Sequence, residues 1–199
     1  MSSIDDKQSL RKGTATAPDK ENLLEQEALI NGLQRGEAAA QEQLLQQYAP
    51  RVFKLIVRMT RNSQDAEELT QDTLLRAINQ LHRYDPTQAS FASWLHRIAY
   101  RLTLNHLRRR PAPALSLDAP SIPRPVGGGP SADELTSLLS EALNHLPPDE
   151  LTLINLFYYD DLPLSEIAFI TESPPGTIAT RLHRIRKKLY DIIQKLKQQ

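Results

Sequence analysis

The sequence predicts an all-α protein: two small helical domains joined by a flexible Pro/Gly-rich linker, the second containing a helix-turn-helix. Three observations carry this. Strong helix formers dominate, and no stretch shows sustained alternation of β-branched residues. Apolar residues recur instead at three- and four-residue spacing, which places them on one side of a helix. Pro111 to Ala132, PAPALSLDAPSIPRPVGGGPSA, holds six prolines and a triple glycine, which exclude helix and central strand and divide the chain.

Residues 1–20 are polar, carry Gly13 and Pro18, and read as a disordered tail. A first helix is expected from about Glu21 to Arg35, with Leu23, Leu24, Leu29, Ile30 and Leu33 apolar and Gly36 ending it. A second covers about Glu37 to Thr60. Its stripe is Leu44, Leu45, Tyr48, Val52, Phe53, Leu55, Ile56 and Met59. Pro50 lacks a donor, so a kink or restart is expected there. Asn62 or Ser63 can cap a third helix, about Gln64 to Leu81. His82 to Ala89 reads as a loop, because Asp85-Pro86 favours a turn. Ser90 to Arg110, SFASWLHRIAYRLTLNHLRRR, then forms one amphipathic helix that Pro111 stops.

After the linker, Ser131 is a capping candidate for a helix to His145, broken by Leu146-Pro147-Pro148. A helix from about Asp149 to Tyr159 follows. Then come a short helix, Leu164 to Ile170, a turn, Thr171 to Pro174, and a long helix, Pro175 to Lys197. Ile178, Leu182, Ile185, Leu189, Ile192 and Leu196 hold one face of the last. A short helix, a tight turn and a long helix with a basic outer face make a helix-turn-helix pattern. Tight helical corners also occur in plain bundles.

Composition removes several function classes. The absence of cysteine excludes disulfides and thiolate metal sites and fits a reducing compartment. No apolar run approaches membrane-spanning length and the first residues lack a signal-peptide core, so a cytoplasmic location without membrane insertion is expected. The formal net charge is zero, so any nucleic-acid binding works through local patches. His82, His96, His106, His145 and His183 are scattered without metal-ligand spacing, and no glycine loop precedes a Lys-Ser/Thr pair. No cofactor, metal or catalytic constellation is expected; the protein reads as a non-enzyme.

Three patches remain. On the third helix Asp65, Glu68 and Asp72 share a face, with Gln71 close by, suited to a basic partner protein. Acidic residues in a first turn also complement the helix dipole. On the Ser90–Arg110 helix, Phe91, Trp94, Leu95, Ile98 and Leu102 form the apolar arc. Arg97, Arg101 and Arg108 lie nearly in line elsewhere, with Tyr100 beside them and Arg109 and Arg110 following. No acidic residue lies between Asp85 and Asp118. Arginines flanked by aromatics suit single-stranded DNA, guanidinium groups holding phosphates and ring faces accepting unstacked bases. A core helix with a solvated basic face gives the same pattern. On the last helix Thr180, His183, Arg184 and Lys187 point away from the apolar face, with Arg181 and Lys188 flanking.

These stretches, in this order, resemble the extracytoplasmic-function sigma factors of bacterial RNA polymerase, over roughly Leu23 to Leu196. DAEELTQDTLLRAINQL is similar to the segment that grips the polymerase clamp helices. SFASWLHRIAYRLTLNHLRRR is similar to the segment that melts and reads the downstream promoter element. LPLSEIAFITESPPGTIATRLHRIRKKL is similar to the helix-turn-helix that reads the upstream element. The resemblance implies a region 2-like domain at 21–110, a linker at 111–132 and a region 4-like domain at 133–199. It implies polymerase contacts at Asp65, Glu68, Gln71, Asp72 and Leu75. Downstream-element contacts would be Trp94, Arg97, Tyr100, Arg101, Asn105, Arg108 and Arg109. Upstream-element contacts would be Thr177, Thr180, Arg181, His183, Arg184 and Lys187. The implied partners are core RNA polymerase and promoter DNA, with an anti-sigma factor as the regulator that holds many members. Four positions depart from the family pattern. Arg101 stands where many members have Asn, Asn105 where many have Asp, and Ala179 where many have Arg or Lys. Pro163 replaces a Ser cap, leaving Asp160 or Asp161 as substitutes. Asn105 also falls within the apolar arc, where a satisfied buried amide is the other reading. A lone helix-turn-helix repressor and a sigma mimic that never touches DNA are the competing functions.

Overall fold

In the computed structural model, residues 17–109 and 130–197 are described. The tail over 1–16 and most of the linker, 110–129, lie outside the described residues. Among the described residues the chain forms eight α-helices with a 3₁₀ turn and a π turn, and no strand.

The first unit comprises α1 (Ala17–Gln34), α2 (Ala38–Thr60), α3 (Ser63–Asn79), a 3₁₀ turn (Leu81–Arg83) and α4 (Phe91–Arg109). Helix α1 starts four residues earlier than Glu21. It ends at Gly36, whose φ of 71° permits the turn, with the Gly36 amide donating to the Leu33 carbonyl at 3.1 Å. A Cβ on Gly32 would lie 2.7 Å from the Ala40 Cβ, so this glycine lets α1 and α2 meet closely. No restart occurs at Pro50; α2 continues through it. Pro50 and Gln46 are exposed, so the carbonyl that loses its helical partner can turn to water. Leu45, expected in the stripe, is 53% exposed. The side chain of Asn62 caps α3 by accepting from the Asp65 amide at 3.0 Å. The Asp85 carboxylate closes the loop turn, accepting from the Thr87 backbone amide (2.9 Å), the Thr87 hydroxyl (2.7 Å) and the Gln88 side-chain Nε2 (3.0 Å). Ser90 Oγ accepts from the Ser93 amide at 3.2 Å and starts α4.

Four aromatic rings key α4 into this unit. Tyr48 and Tyr84 meet Phe91 edge-on at 5.2 and 5.3 Å, and Trp94 stacks on Phe91 at 5.7 Å. The Tyr84 hydroxyl accepts from Gln26 of α1 and donates to the Ala89 carbonyl, tying loop, α1 and α4 together.

The second unit comprises α5 (Pro130–Asn144), α6 (Pro148–Ile154), a π turn (Asn155–Tyr159), α7 (Leu164–Thr171) and α8 (Pro175–Leu196). Helix α5 takes in the last residues of the expected linker. The helix expected over Asp149 to Tyr159 widens into the π turn: the Asp160 amide reaches back to the Asn155 carbonyl, 3.0 Å. This core is aliphatic, with Leu153, Leu156, Ile167, Ile170 and Ile178 fully buried. The N-cap of α7 is Pro163, which contributes no side-chain bond. Asp160 faces Lys54 and Arg58 of the first unit at 3.6 and 3.7 Å instead.

The two units pack against each other, α7 along α4 and α6 along α2. Arg61, the left-handed C-cap of α2 (φ 52°), donates to the carbonyls of Asn144 (3.0 Å) and Leu146 (3.4 Å), at and just beyond the end of α5.

Candidate nucleic-acid interface

Helix α3 presents Glu68, Gln71, Asp72 and Leu75 to solvent at helical spacing, Leu75 60% exposed. An exposed leucine ringed by polar groups fits a protein contact. Asp65 does not join them. It is 6% exposed, and its carboxylate lies 3.5 Å from His106 of α4. One turn earlier on the same face, the helix start tucks beneath α4, so Asp65 serves the fold, not the surface.

The groove between α3 and α4 opens into a cavity of about 450 Å³, within the range of ligand-sized pockets. Its cations are Arg76, Arg83, Arg97 and Arg101; its apolar wall is Trp94 and Ile98; two amides, Gln80 and Asn105, complete it. The geometry brings Trp94, Arg97, Arg101 and Asn105 together as the sequence suggested. Asn105 is exposed, which removes the buried-amide reading. Trp94 offers only an edge, being 8% exposed and wedged between Phe91 and Tyr84. Arg108 and Arg109 are exposed on the same helix but do not line this cavity. Arg76 and Gln80 went unnoticed in the sequence. The signal was there: Asp72, Arg76 and Gln80 recur every fourth residue, along the edge of α3 that meets α4.

Tyr100 is the second correction. It is 6% exposed, packed near the guanidinium of Arg181 of α8. Burial pushes its phenol above the ordinary value, with Arg181 and Asp149 acting in opposite senses. Its ring face is closed to a base in this arrangement. Arg181 is correspondingly engaged, its Nη2 2.7 Å from Asp149 of α6.

On α8, Thr177, Thr180, His183, Arg184 and Lys187 are all exposed along one face. The opposite face buries Ile178, Leu182, Ile185 and Leu189. Thr180, though exposed, donates its hydroxyl back to the Gly176 carbonyl at 2.9 Å. Among the described residues no cluster of three His, Asp or Glu is placed to hold a metal ion, and no helix is long and apolar enough to cross a membrane.

Comparison with known proteins bears on both units. Residues 44–111 match the model of Sigma-70 region 2, and residues 136–189 that of Sigma-70, region 4. The sigma factor SigW of Bacillus subtilis is 30% identical over 181 residues, 82% of this chain and 96% of its own. The chain belongs to the extracytoplasmic-function sigma factors. As a sigma factor it is a transcription initiation factor and not an enzyme. SigE of Mycolicibacterium smegmatis is 32% identical over 160 residues, 77% of this chain but 62% of that longer protein. Among solved structures, RpoE of Bartonella quintana, bound to the anti-sigma factor NepR, shares the fold (TM-score 0.58, 21% identity, 77% of this chain and 96% of that one).

Proposed function

We propose that this sigma factor docks on core RNA polymerase through Glu68, Gln71, Asp72 and Leu75 of α3 and reads a promoter at two places. The reading rests on one observation: four arginines, two amides and an apolar wall converge on the cavity beside α4. That set suits a nucleotide drawn out of the stack, with guanidinium groups on its phosphates and amides on its base edge. Arg97, Arg101 and Asn105 hold the downstream strand, Arg108 and Arg109 continue along its backbone, and the binding offsets the cost of opening the duplex. Thr177, Thr180, His183, Arg184 and Lys187 enter the major groove of the upstream element.

The domain division we propose is 21–110, 111–132 and 133–199 after a tail at 1–20, supported by the two family matches and adjusted where α1 starts at Ala17 and α5 at Pro130. We propose a cytoplasmic location, where bacterial RNA polymerase acts. An anti-sigma factor is the regulator we propose, since RpoE of Bartonella quintana binds one.

Run-off transcription tests the reading. Purified chain added to core polymerase is expected to start RNA from a subset of a promoter library. A folded preparation that starts none would end it.

A further inference from the structure

One carboxylate from the second unit sits on the cations of the first. Glu172 caps the end of α7 in the left-handed region, φ 53°, a conformation in which glycine or asparagine is usual. There its Oε1 accepts from Arg97 Nε at 2.9 Å, from Arg97 Nη2 at 2.7 Å and from Arg101 Nη1 at 3.1 Å. A single anionic oxygen shared by two guanidinium groups is the arrangement expected of a DNA phosphate. The neighbourhood supports the same closure. Ser93 donates to Glu166 of α7, and the Arg97 guanidinium lies 4.7 Å from the centre of the Phe169 ring. Asp160 faces Lys54 and Arg58 farther along the seam. Acidic groups on the second unit thus meet basic groups on the first.

We propose that Glu172 is an internal phosphate mimic: it occupies the single-strand site on α4, so the downstream strand binds only when the helix-turn-helix unit lifts off. The inference rests on the reading of α4 as the strand-binding helix. The same guanidinium N–H groups cannot serve carboxylate and phosphate together, so opening and strand capture are linked. The side chains of Arg97, Arg101 and Glu172 are 34%, 62% and 39% exposed, so the latch is weak and screened by salt. A weak latch suits a switch that promoter and polymerase must be able to open. It also gives the left-handed Glu172 a use that a glycine cap lacks.

The test uses the full chain and a fluorescein-labelled, mixed-sequence single strand of about 12 nucleotides, a length within the range one such groove covers. The chain has no cysteine, so Gln46→Cys and Tyr190→Cys, both exposed, accept a donor and acceptor dye. Glu172→Gln removes the charge at nearly constant shape; Glu172→Gly removes it while suiting the backbone. Both are expected to tighten strand binding about threefold to tenfold at low salt, the size that two exposed ion pairs carry, with the gain shrinking as salt rises. Both are also expected to lower energy transfer between the dyes, as strand does on the unsubstituted chain. If Arg97→Ala with Arg101→Ala loses the strand but neither Glu172 variant tightens it, the latch is overturned and the strand-binding helix stands. If the arginine pair makes no difference, the helix reading falls and the latch with it.

Discussion

Helices α4 and α8 look alike in sequence, each with an apolar stripe and a row of cations, yet the structure treats them differently. The cations of α8 that we propose read the duplex, Arg184 and Lys187, stand exposed and have no seam across them. Those of α4 are half spoken for: Arg97 and Arg101 reach Glu172, and Tyr100 beside them is buried. Helix α8 packs mainly within its own unit, with Arg181 near Tyr100 of α4. Helix α4 is gripped on two sides, by the aromatic cluster of its own unit and by α7 of the other. A positive row is therefore not by itself a free surface. What covers it is decided by contacts some 70 residues apart in sequence, such as Arg97 with Glu172.

The largest effect should come from cutting α4 loose. Phe91 is fully buried and touches three other rings. Phe91→Ala is expected to cost about 3–5 kcal/mol of the first unit's stability, read by thermal melting with Trp94 fluorescence. A loss below 1 kcal/mol would mean that α4 is not the keystone the comparison makes it. Next comes the surface that belongs to neither of the helices proposed to read DNA. Glu68→Lys with Asp72→Lys should weaken core-polymerase binding by on the order of 3 kcal/mol with unchanged circular dichroism, because like charge then faces a basic partner. Intact affinity would remove the acidic face from the account.

Third is α8. Arg184→Ala should weaken upstream-element binding by about 1–3 kcal/mol. Equal loss on random duplex would show that Arg184 holds phosphate only. Because α8 is uncovered, the loss should be the same in the free factor and in the Glu172→Gln background. A difference between the two would mean that α8 also feels the closure.

The helices and the helix-turn-helix were legible because burial at three- and four-residue spacing is a local property that a wheel displays. Asn62 as cap and Asp85 as turn former were legible for the same reason. Misread positions all depend on distant partners. Asp65 shares a wheel face with Glu68 and Asp72, but its turn is roofed by α4. Tyr100 lies beside the arginine row, but the packing of the second unit near Arg181 accompanies its burial. Arg76 and Gln80 escaped because a helix taken for its acids was not searched for its cavity edge. The π turn escaped because the bond that widens it leaves no periodic trace in LFYYD. Nothing in the linker composition reveals whether the units it joins are apart or packed.

The smallest effect, and the one that probes the seam without touching any DNA contact, concerns His96. It lies on α4 opposite the cavity, with its Nδ1 enclosed and without a hydrogen-bond partner. Burial lowers its pKa below 6.5; Asp160 across the seam works against the shift, and Arg51 of α2 adds to it. Above pH 6.5 the ring is neutral whether the chain is folded or not, and stability is complete. Below it the unfolded chain takes a proton that the folded chain refuses, so stability falls with pH, by at most about 1.4 kcal/mol per unit, until the folded ring titrates. Because Asp160 approaches from the second unit, part of that loss should be a loosening of the seam. Melting temperature followed from pH 7 to 5 is expected to drop more steeply for the unsubstituted chain than for His96→Gln. Energy transfer between the Gln46→Cys and Tyr190→Cys dyes should fall over the same window. Parallel pH profiles for the two chains would place the sensitivity elsewhere and leave His96 as ordinary packing between α2 and α4.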